Sequence, residues 1–322
     1  MKNDYKYMVC TRCFTYNHAP FIESALEGFA IQQANFQMVF VIVDDASTDG
    51  EQEVLKKWAA ANLSFDEDGY AYKKDLNYGE LFFAHHRTNK NASFAILLLK
   101  ENHHRQKKPK LPYLSEWCND AKYLALCEGD DYWINPHKLK IQIDFLEAHP
   151  DHSGCIHAHR RDVFTGDTVR SIDCYKYPEN IEKIPNKDVI CNKSMFCATA
   201  SWVYKSEAVH DYPEWTKRAP VGDKPLKLVL FARGHIGYIN ELMSVYRVGV
   251  PGSWTNRVLR NREEEKVLRK GLIKIMTDFD QWTEGRYHKY VRQNIAHYRY
   301  IYWKTDYIIR PYLYIKEKLH IS

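Results

Sequence analysis

Nothing in the 322 residues approaches the ~18 consecutive apolar residues that a membrane-spanning helix needs. The opening stretch "MKNDYKYMVCTRCF" lacks the long apolar core of a secretory signal, so a cytoplasmic location is expected. Cys10 and Cys13 have no second C-x-x-C and no suitably spaced histidines to accompany them, so they read as positions on a first strand rather than half a zinc site. Six of the 8 cysteines (Cys10, Cys13, Cys127, Cys155, Cys191 and Cys197) lie within or beside apolar stretches, as reduced core thiols do. Neither phosphate-cradling glycine loop, G-x-x-x-x-G-K-[ST] or G-x-G-x-x-G, occurs. Internal repeats, flexible linkers and segments biased enough for disorder are also missing.

What is present is enough apolar residue, 45%, for a sizeable core, with 23 tyrosines of which many fall late in the chain. The net charge of +5 is uneven. Residues 256–322 carry 15 Lys/Arg against 8 Asp/Glu, whereas the preceding 255 carry 31 against 33. The chain is therefore read as a body, 1–255, and a basic, aromatic extension, 256–322.

Along the body, "YMVCTRCFTYN" reads as a strand, and a helix opened by Pro20 carries Phe21, Ile22, Ala25, Leu26 and Phe29 on one face. Met38 to Val43 is continuously apolar, as parallel strands buried on both faces are. It stops at Asp44-Asp45, and Thr48 and Glu51 stand at capping-box spacing before the next helix. "FAILLLKEN" reads as a further parallel strand and "HHRQKKPKLPYL" as an exposed basic loop. Lys122 to Cys127 is another strand, ending in Glu128, Asp130 and Asp131, after which Asn135-Pro136 caps a helix bearing Leu139, Ile143 and Leu146. This order predicts an open α/β sheet, whose ligands lie beyond the carboxyl ends of its strands.

Two buried strands thus end in acids at one edge. Such carboxylates either cap the following helices and face water, or hold a cation, since buried carboxylates need a partner. Two clusters at the ligand-binding edge favour the cation, and an oxygen-rich set suits Mg2+ or Mn2+, with phosphates and waters completing the shell.

"TYNHAPFIESALEGFAIQQ", "VIVDDASTDG" and "ALCEGDDYWINPHKLKIQIDFLEAHP", taken together and in this order, resemble the family 2 glycosyltransferases, especially bacterial members that build surface polysaccharides. The resemblance runs from about Met8 to Trp254, with a weak stretch from Asp66 to Asp120. It implies a GT-A fold, a Rossmann-like, mostly parallel sheet flanked by helices, here with a C-terminal helical extension. Carried over, the pattern implies that Thr15 and Tyr16 line a nucleotide base pocket. Asp45 would accept a hydrogen bond from the base, supported by Asp44. Asp130 and Asp131 would bind the metal and the sugar-nucleotide diphosphate, with Glu128 where many members have aspartate, and Asn102 matches an asparagine after the third strand. "APVGDKPLKLVLFARGHIGYINELMSVYRV" resembles the acceptor-side segment, with Asp223 at the position of the catalytic base; the residues alone read Asp223 equally well as a helix N-cap.

Tyr246-Arg247 resembles a "YR" that members often follow with a histidine, but this chain has Gly249 there, leaving His235 as a candidate substitute. The Q-x-x-R-W signature of processive members is absent, which implies one sugar added per encounter.

The implied activity is a metal-dependent, inverting hexosyl or hexosaminyl transfer from a nucleotide sugar, a UDP-sugar favoured, to a glycan or lipid-linked acceptor of lipopolysaccharide or capsule type. A nucleotidyltransferase shares the sheet, metal and acids, and a non-catalytic nucleotide- or glycan-binding module would keep the fold. The extension reads as helices packed with a solvated basic face, as an interfacial membrane anchor or, least favoured, as a nucleic-acid surface. In it Val267, Leu268, Leu272 and Ile275 are expected to share a buried face.

Overall fold

The computed structural model describes residues 4–66, 70–191, 197–250 and 261–311. The first elements are β1 (Tyr7–Thr15), α1 (Ile22–Ala30), β2 (Met38–Asp44), α2 (Glu51–Asn62), β3 (Leu63–Ser64), β4 (Tyr72–Leu76), β5 (Gly79–His86) and β6 (Ala92–Leu99). A short helix α3 (Ser115–Cys118), β7 (Ala121–Leu126), β8 (Tyr132–Trp133), α4 (Lys138–Ala148), β9 (His152–Thr165) and β10 (Thr168–Cys174) follow. After α5 (Asn186–Cys191) come β11 (Val203–Lys205), α6 (Asp223–Arg233), β12 (His235–Val248), α7 (Arg262–Trp282) and α8 (His288–Lys304).

The strands form one mixed sheet in the order β3-β5-β6-β2-β1-β7-β11-β9-β12-β8, with β4 on β5 and β10 on β9. Its centre, β6-β2-β1-β7, is parallel. Every residue of β2 and β6 is buried, which is what their unbroken apolar runs require when helices and loops cover both faces. The flanking pairings are antiparallel, apart from β9 beside β12.

On one face α1 lies so close to β8 that a Cβ on Gly28 would meet the Trp133 backbone at 2.7 Å. The Trp133 ring packs edge-on against Phe29, at 4.9 Å between centroids, and its Nε1–H donates to Ala200 O at 3.0 Å. That pairing gives a large buried aromatic both packing and a hydrogen-bond acceptor.

Two helix starts differ from expectation. The N-cap of α2 is Gly50, in the left-handed region at φ 92°, with no side-chain cap, because the Glu51 carboxylate is turned into the protein instead. Helix α4 begins at Lys138 after His137, and Asn135 Oδ1 accepts only from His137 N.

The chain divides into two compact units: residues 1–183, 197–210 and 233–252, which hold the sheet, and residues 184–196, 211–232 and 253–322, which are helical. The expected boundary at 255/256 lies outside the described residues, as do the last residues of the basic tail from Tyr312. In the helical unit α7 buries Glu265, Ile275, Met276 and Phe279, whereas Val267 is 66% exposed. Of the expected face Ile275 is buried, Leu268 and Leu272 are half-buried and only Val267 points out, and Glu265 is kept inside by Arg269 at 2.5 Å and by Arg310. No described helix is long and apolar enough to cross a membrane.

Lys138 is wholly buried, with its Nζ 2.7 Å from Gln142 Oε1 and 4.0 Å from the centroid of the Trp133 ring. No carboxylate pairs with it among the described residues, and burial draws its pKa down to about 7. The unfolded chain therefore binds this proton more tightly from about pH 7 to about pH 10, and stability from this group rises with pH across that window. Lys138→Met should raise the melting temperature at neutral pH and flatten its rise with pH. An unchanged slope would place the ammonium in water.

Candidate active site

The register of the parallel centre brings Thr15 opposite Asp44, and Asp44 opposite Leu98, so three strands end together. Beyond them the loops after β1 and β2 are joined by side chains. Asn17 N donates to Ser47 Oγ at 2.8 Å, Thr48 N to Asn17 Oδ1 at 2.8 Å, and Ala19 N to Asp49 Oδ2 at 2.9 Å. Asn17 and Ala46 both take left-handed backbone, at φ 58° and 59°, a conformation that these cross-loop bonds hold in place.

Glu51 sits under this junction without solvent exposure. It accepts from His18 N and Ser47 Oγ, each at 2.8 Å, and from the Thr15 hydroxyl. Burial raises its pKa against those three donors. Thr15 has one proton and gives it to Glu51, so the 3.0 Å bond between Thr15 Oγ1 and His18 Nδ1 assigns the proton to Nδ1. The other ring nitrogen, Nε2, is 3.7 Å from Asp130 Oδ2.

Asp44 and Asp45 are both fully buried and are satisfied differently. Asp44 Oδ1 accepts from Ser47 N and Gln52 Nε2, while Oδ2 has no partner, and burial raises its pKa. Asp45 accepts from His103 N at 2.7 Å, His104 N at 3.1 Å and Lys110 Nζ at 2.8 Å. Burial alone would raise its pKa, yet Lys110 and those N–H groups hold it below the ordinary carboxylate value. Asn102 closes the same segment, donating to Asp45 O at 2.9 Å and accepting from Arg105 N at 2.8 Å. Arg105 lies over the Tyr16 ring and Lys110 over Phe14. The stretch expected to be an exposed basic loop is exposed from His104 to Pro109, and it is anchored on either side of that span because a buried carboxylate draws the His103 and His104 N–H groups and Lys110 toward it.

After β7 the chain follows β1 for two more residues, with Cys127 N donating to Arg12 O and Gly129 N to Phe14 O, both at 3.2 Å. Gly129 then passes so near Thr15 that any Cβ there would overlap the threonine side chain. This turn gathers Glu128, Asp130 and Asp131, with carboxylate oxygens within 4.8 Å of one another. Glu128 is exposed, Asp130 half-buried and Asp131 wholly buried.

Asp131 Oδ1 accepts from Arg247 N at 3.0 Å, while Oδ2 is buried without a partner. Burial first, and then Asp130 and Glu128, push its pKa well up. Arg247 does not pair its guanidinium with these carboxylates. Its Nη1 donates to Asp130 O at 2.8 Å, Nη2 donates to Ser24 Oγ at 3.2 Å, and its plane lies over Tyr132 and Phe21. The excess negative charge is felt by Tyr246, whose pKa is pushed up to about 12 by burial and by all three acids. Hard-cation sites gather oxygen ligands in this way, and the orphaned buried oxygen of Asp131 fits one.

The sheet unit therefore brings together Thr15, Asp44, Asp45, Asn102, Glu128, Asp130 and Asp131. Asp223 belongs to the helical unit, as the first residue of α6, with a side chain 45% exposed and Oδ2 2.9 Å from Lys227 Nζ. Some burial opposes it, but Lys227 and the N–H of Lys224 hold its pKa below the ordinary value.

The candidate histidine His235 is corrected by the topology. It begins β12 and faces Asp151 at 3.7 Å, whereas Arg247, beside the acids, lies near the other end of that strand, roughly 35–40 Å away at ~3.3 Å per residue. Gly249, at φ 81° and with Phe164 O 2.7 Å from any Cβ, has no room for the histidine. The imidazole beside Asp130 is instead that of His18.

Glu51, His18 and Lys110 carry no local sequence signal of a site: Glu51 matches a capping box, His18 lies inside "TYNHAPFIESALEGFAIQQ" without a distinguishing neighbour, and Lys110 sits in a basic run. The short spacing of Thr15, His18, Ser47 and Glu51 around two strand ends is the signal that connects them.

No protein-family model matches the chain. The uncharacterized protein Rv1520 of Mycobacterium tuberculosis is 29% identical over 247 residues, covering 74% of this chain and 58% of the relative. Uncharacterized protein Mb1547 of Mycobacterium bovis matches to the same extent. The chain thus spans less than two thirds of the length of these curated relatives. Among solved structures, S. aureus TarS 1–349 superposes with a TM-score of 0.52 at 13% identity, over 92% of this chain and 91% of that one. The mannosyltransferase PcManGT from Pyrobaculum calidifontis, in complex with GDP-Man and Mn2+, gives 0.52 at 14% identity, over 99% and 81%. At these identities the likeness is one of fold, the GT-A type of mixed α/β sheet flanked by helices with a helical C-terminal region.

Gly129→Ala should lower stability by about 1–3 kcal/mol through the overlap with Thr15. Gly222→Ala, with nothing within 4 Å of its Cβ, should be close to neutral. Equal urea midpoints for the two variants would mean that the acidic turn is not held against β1.

Proposed function

We propose that this chain is a metal-dependent, inverting glycosyltransferase that moves one hexosyl or hexosaminyl group from a nucleotide sugar to a glycan or lipid-linked acceptor in surface polysaccharide synthesis. The observation that carries this reading is Asp131, buried with an oxygen unpartnered, in a carboxylate cluster at the carboxyl edge of a GT-A sheet. A fold neighbour solved with GDP-Man and Mn2+ and the three sequence motifs support it.

In this reading Asp130 and Asp131 hold the cation and the diphosphate, with Glu128 at the exposed rim. A divalent ion, Mn2+ or Mg2+, would stabilise the departing diphosphate as the glycosidic bond breaks. Thr15 and Tyr16 line the base pocket and Asp45, backed by Asp44, accepts from the base. Asp45 already takes three donors and its side chain is only 1% exposed, so binding of a base requires the segment held by Asn102 and Lys110 to yield. His18 turns its Nε2 toward Asp130, 3.7 Å from Oδ2, where it would stand beside the cation. Its Nδ1–H is fixed by Thr15 and Glu51, the arrangement by which histidines near metals are oriented. UDP is the favoured nucleotide on the sequence resemblance. Residues 1–255 would be the catalytic body, working in the cytoplasm. The extension, 256–322, would pack as helices with a solvated basic face; the second reading, favoured by exposed Tyr300, Trp303, Tyr307 and Ile308, is an interfacial anchor on the inner face of the membrane.

Asp223 would take the acceptor's hydroxyl proton. Its pairing with Lys227 keeps it ionised but weakens it as a base. Lys227→Met should therefore move the acid limb of the kcat/KM profile to higher pH. An unmoved limb would assign the proton transfer to another group.

The primary test is calorimetric titration of UDP, GDP, CMP and dTDP, each with Mn2+ and with EDTA. One diphosphate should bind, lose its binding with EDTA, and bind at least tenfold more weakly to Asp131→Asn. Binding indifferent to both EDTA and the variant, or no binding by folded protein, would remove the reading.

A further inference from the structure

Cys10 and Cys118 are separated by 108 residues in sequence, yet the fold brings their sulfurs to 3.2 Å. A disulfide needs ~2.05 Å, so a further approach of about 1 Å would join them. Cys10 sits in the central strand β1 with no exposure, and Cys118 ends the short helix α3 with 7%. Two residues along β1, on the same face as Cys10, half-buried Arg12 lies beside Cys118 with its buried Nε unpartnered.

The two thiols are unlike. Burial, and then the bond to Cys118, raise the pKa of Cys10, and either sulfur can be the donor in that bond. Its bond to Cys10, and then Arg12, outweigh burial and draw the pKa of Cys118 down. A thiolate is the form that attacks peroxides, and a neighbouring cation favours it.

We propose that Cys10 and Cys118 form a reversible redox pair, oxidised by a hydroperoxide such as hydrogen peroxide, with Cys118 reacting first and Cys10 resolving. The Cys118 thiolate sulfur bonds to one peroxide oxygen, the O–O bond breaks, and the second oxygen leaves as hydroxide, which becomes water on taking up a proton. Cys118 is then a sulfenic acid. The Cys10 sulfur bonds to the Cys118 sulfur, the S–O bond breaks, and water leaves with the Cys10 proton. In sum, two thiols and one peroxide give a disulfide and two waters, each sulfur losing one electron. A dithiol reductant reverses the step by exchange. The bond fastens α3 to β1. This proposal is independent of the proposed transfer reaction.

The test uses the full chain, reduced, desalted and exposed to hydrogen peroxide at near-stoichiometric amounts. It is then denatured, alkylated and mapped by mass spectrometry. Free thiols should fall from 8 to six, with a single cross-linked peptide joining Cys10 and Cys118 in a monomeric chain, and dithiothreitol should restore the full count. Arg12→Met should slow the loss about tenfold. Cys10→Ser should abolish the cross-link and leave Cys118 trappable by dimedone as its sulfenic acid. If a serine variant does not fold, the map of the unaltered chain and the Arg12→Met rate decide alone. An unchanged thiol count, or a lost pair that maps to other cysteines such as the more exposed Cys174, would overturn the proposal.

Discussion

Four carboxylates, those of Asp44, Asp45, Glu51 and Asp131, are withdrawn from water at one edge of the sheet, and the arrangement around them follows from what each finds there. An ionised carboxylate without donors is costly in a protein interior. Asp45 is supplied with two backbone N–H groups and an ammonium, and Glu51 with an N–H and two hydroxyls. Asp44 and Asp131 are each left with one oxygen unsatisfied. The two well-supplied acids hold the loops, and the half-supplied acid at the turn after β7 is the one that suits a cation.

The same requirement explains why segments far apart in sequence converge. His18 is turned by Glu51 through Thr15, the segment from Asn102 to Lys110 is drawn down by Asp45, and Arg247 reaches Asp131 through its backbone N–H while its guanidinium holds the Asp130 carbonyl. Arg247 thus stiffens the acidic turn without discharging it. Gly129 lets that turn run against Thr15, and Gly249 ends β12 where no side chain fits.

Away from the site, partnering again separates buried groups by role. Lys138 is enclosed with only an amide and an aromatic face, whereas Glu265 in α7 is enclosed among arginines. The first is a liability for the fold, the second a fastening within the helical unit. Cys10 and Cys13, three residues apart on a strand of period two, serve different neighbourhoods. Cys10 meets Cys118, and Cys13 joins the core cluster of Ile22, Phe29 and Phe40.

The sequence by itself determined the parallel centre of the sheet, because the unbroken apolar runs of Met38–Val43 and of "FAILLL" have no stable place except between two covered faces. It also determined that the acids would stand at the carboxyl ends of those strands, since Asp44-Asp45 and the Glu128–Asp131 turn follow the runs directly. Only the tertiary structure decided which acids keep one oxygen unpartnered, that Glu51 turns inward rather than capping its helix, that His18 and not His235 stands beside Asp130, and that Lys110 covers Asp45. Those outcomes depend on contacts between residues tens to more than a hundred positions apart. They are set by strand register and by where a buried charge finds its donors, neither of which leaves a local pattern in the chain.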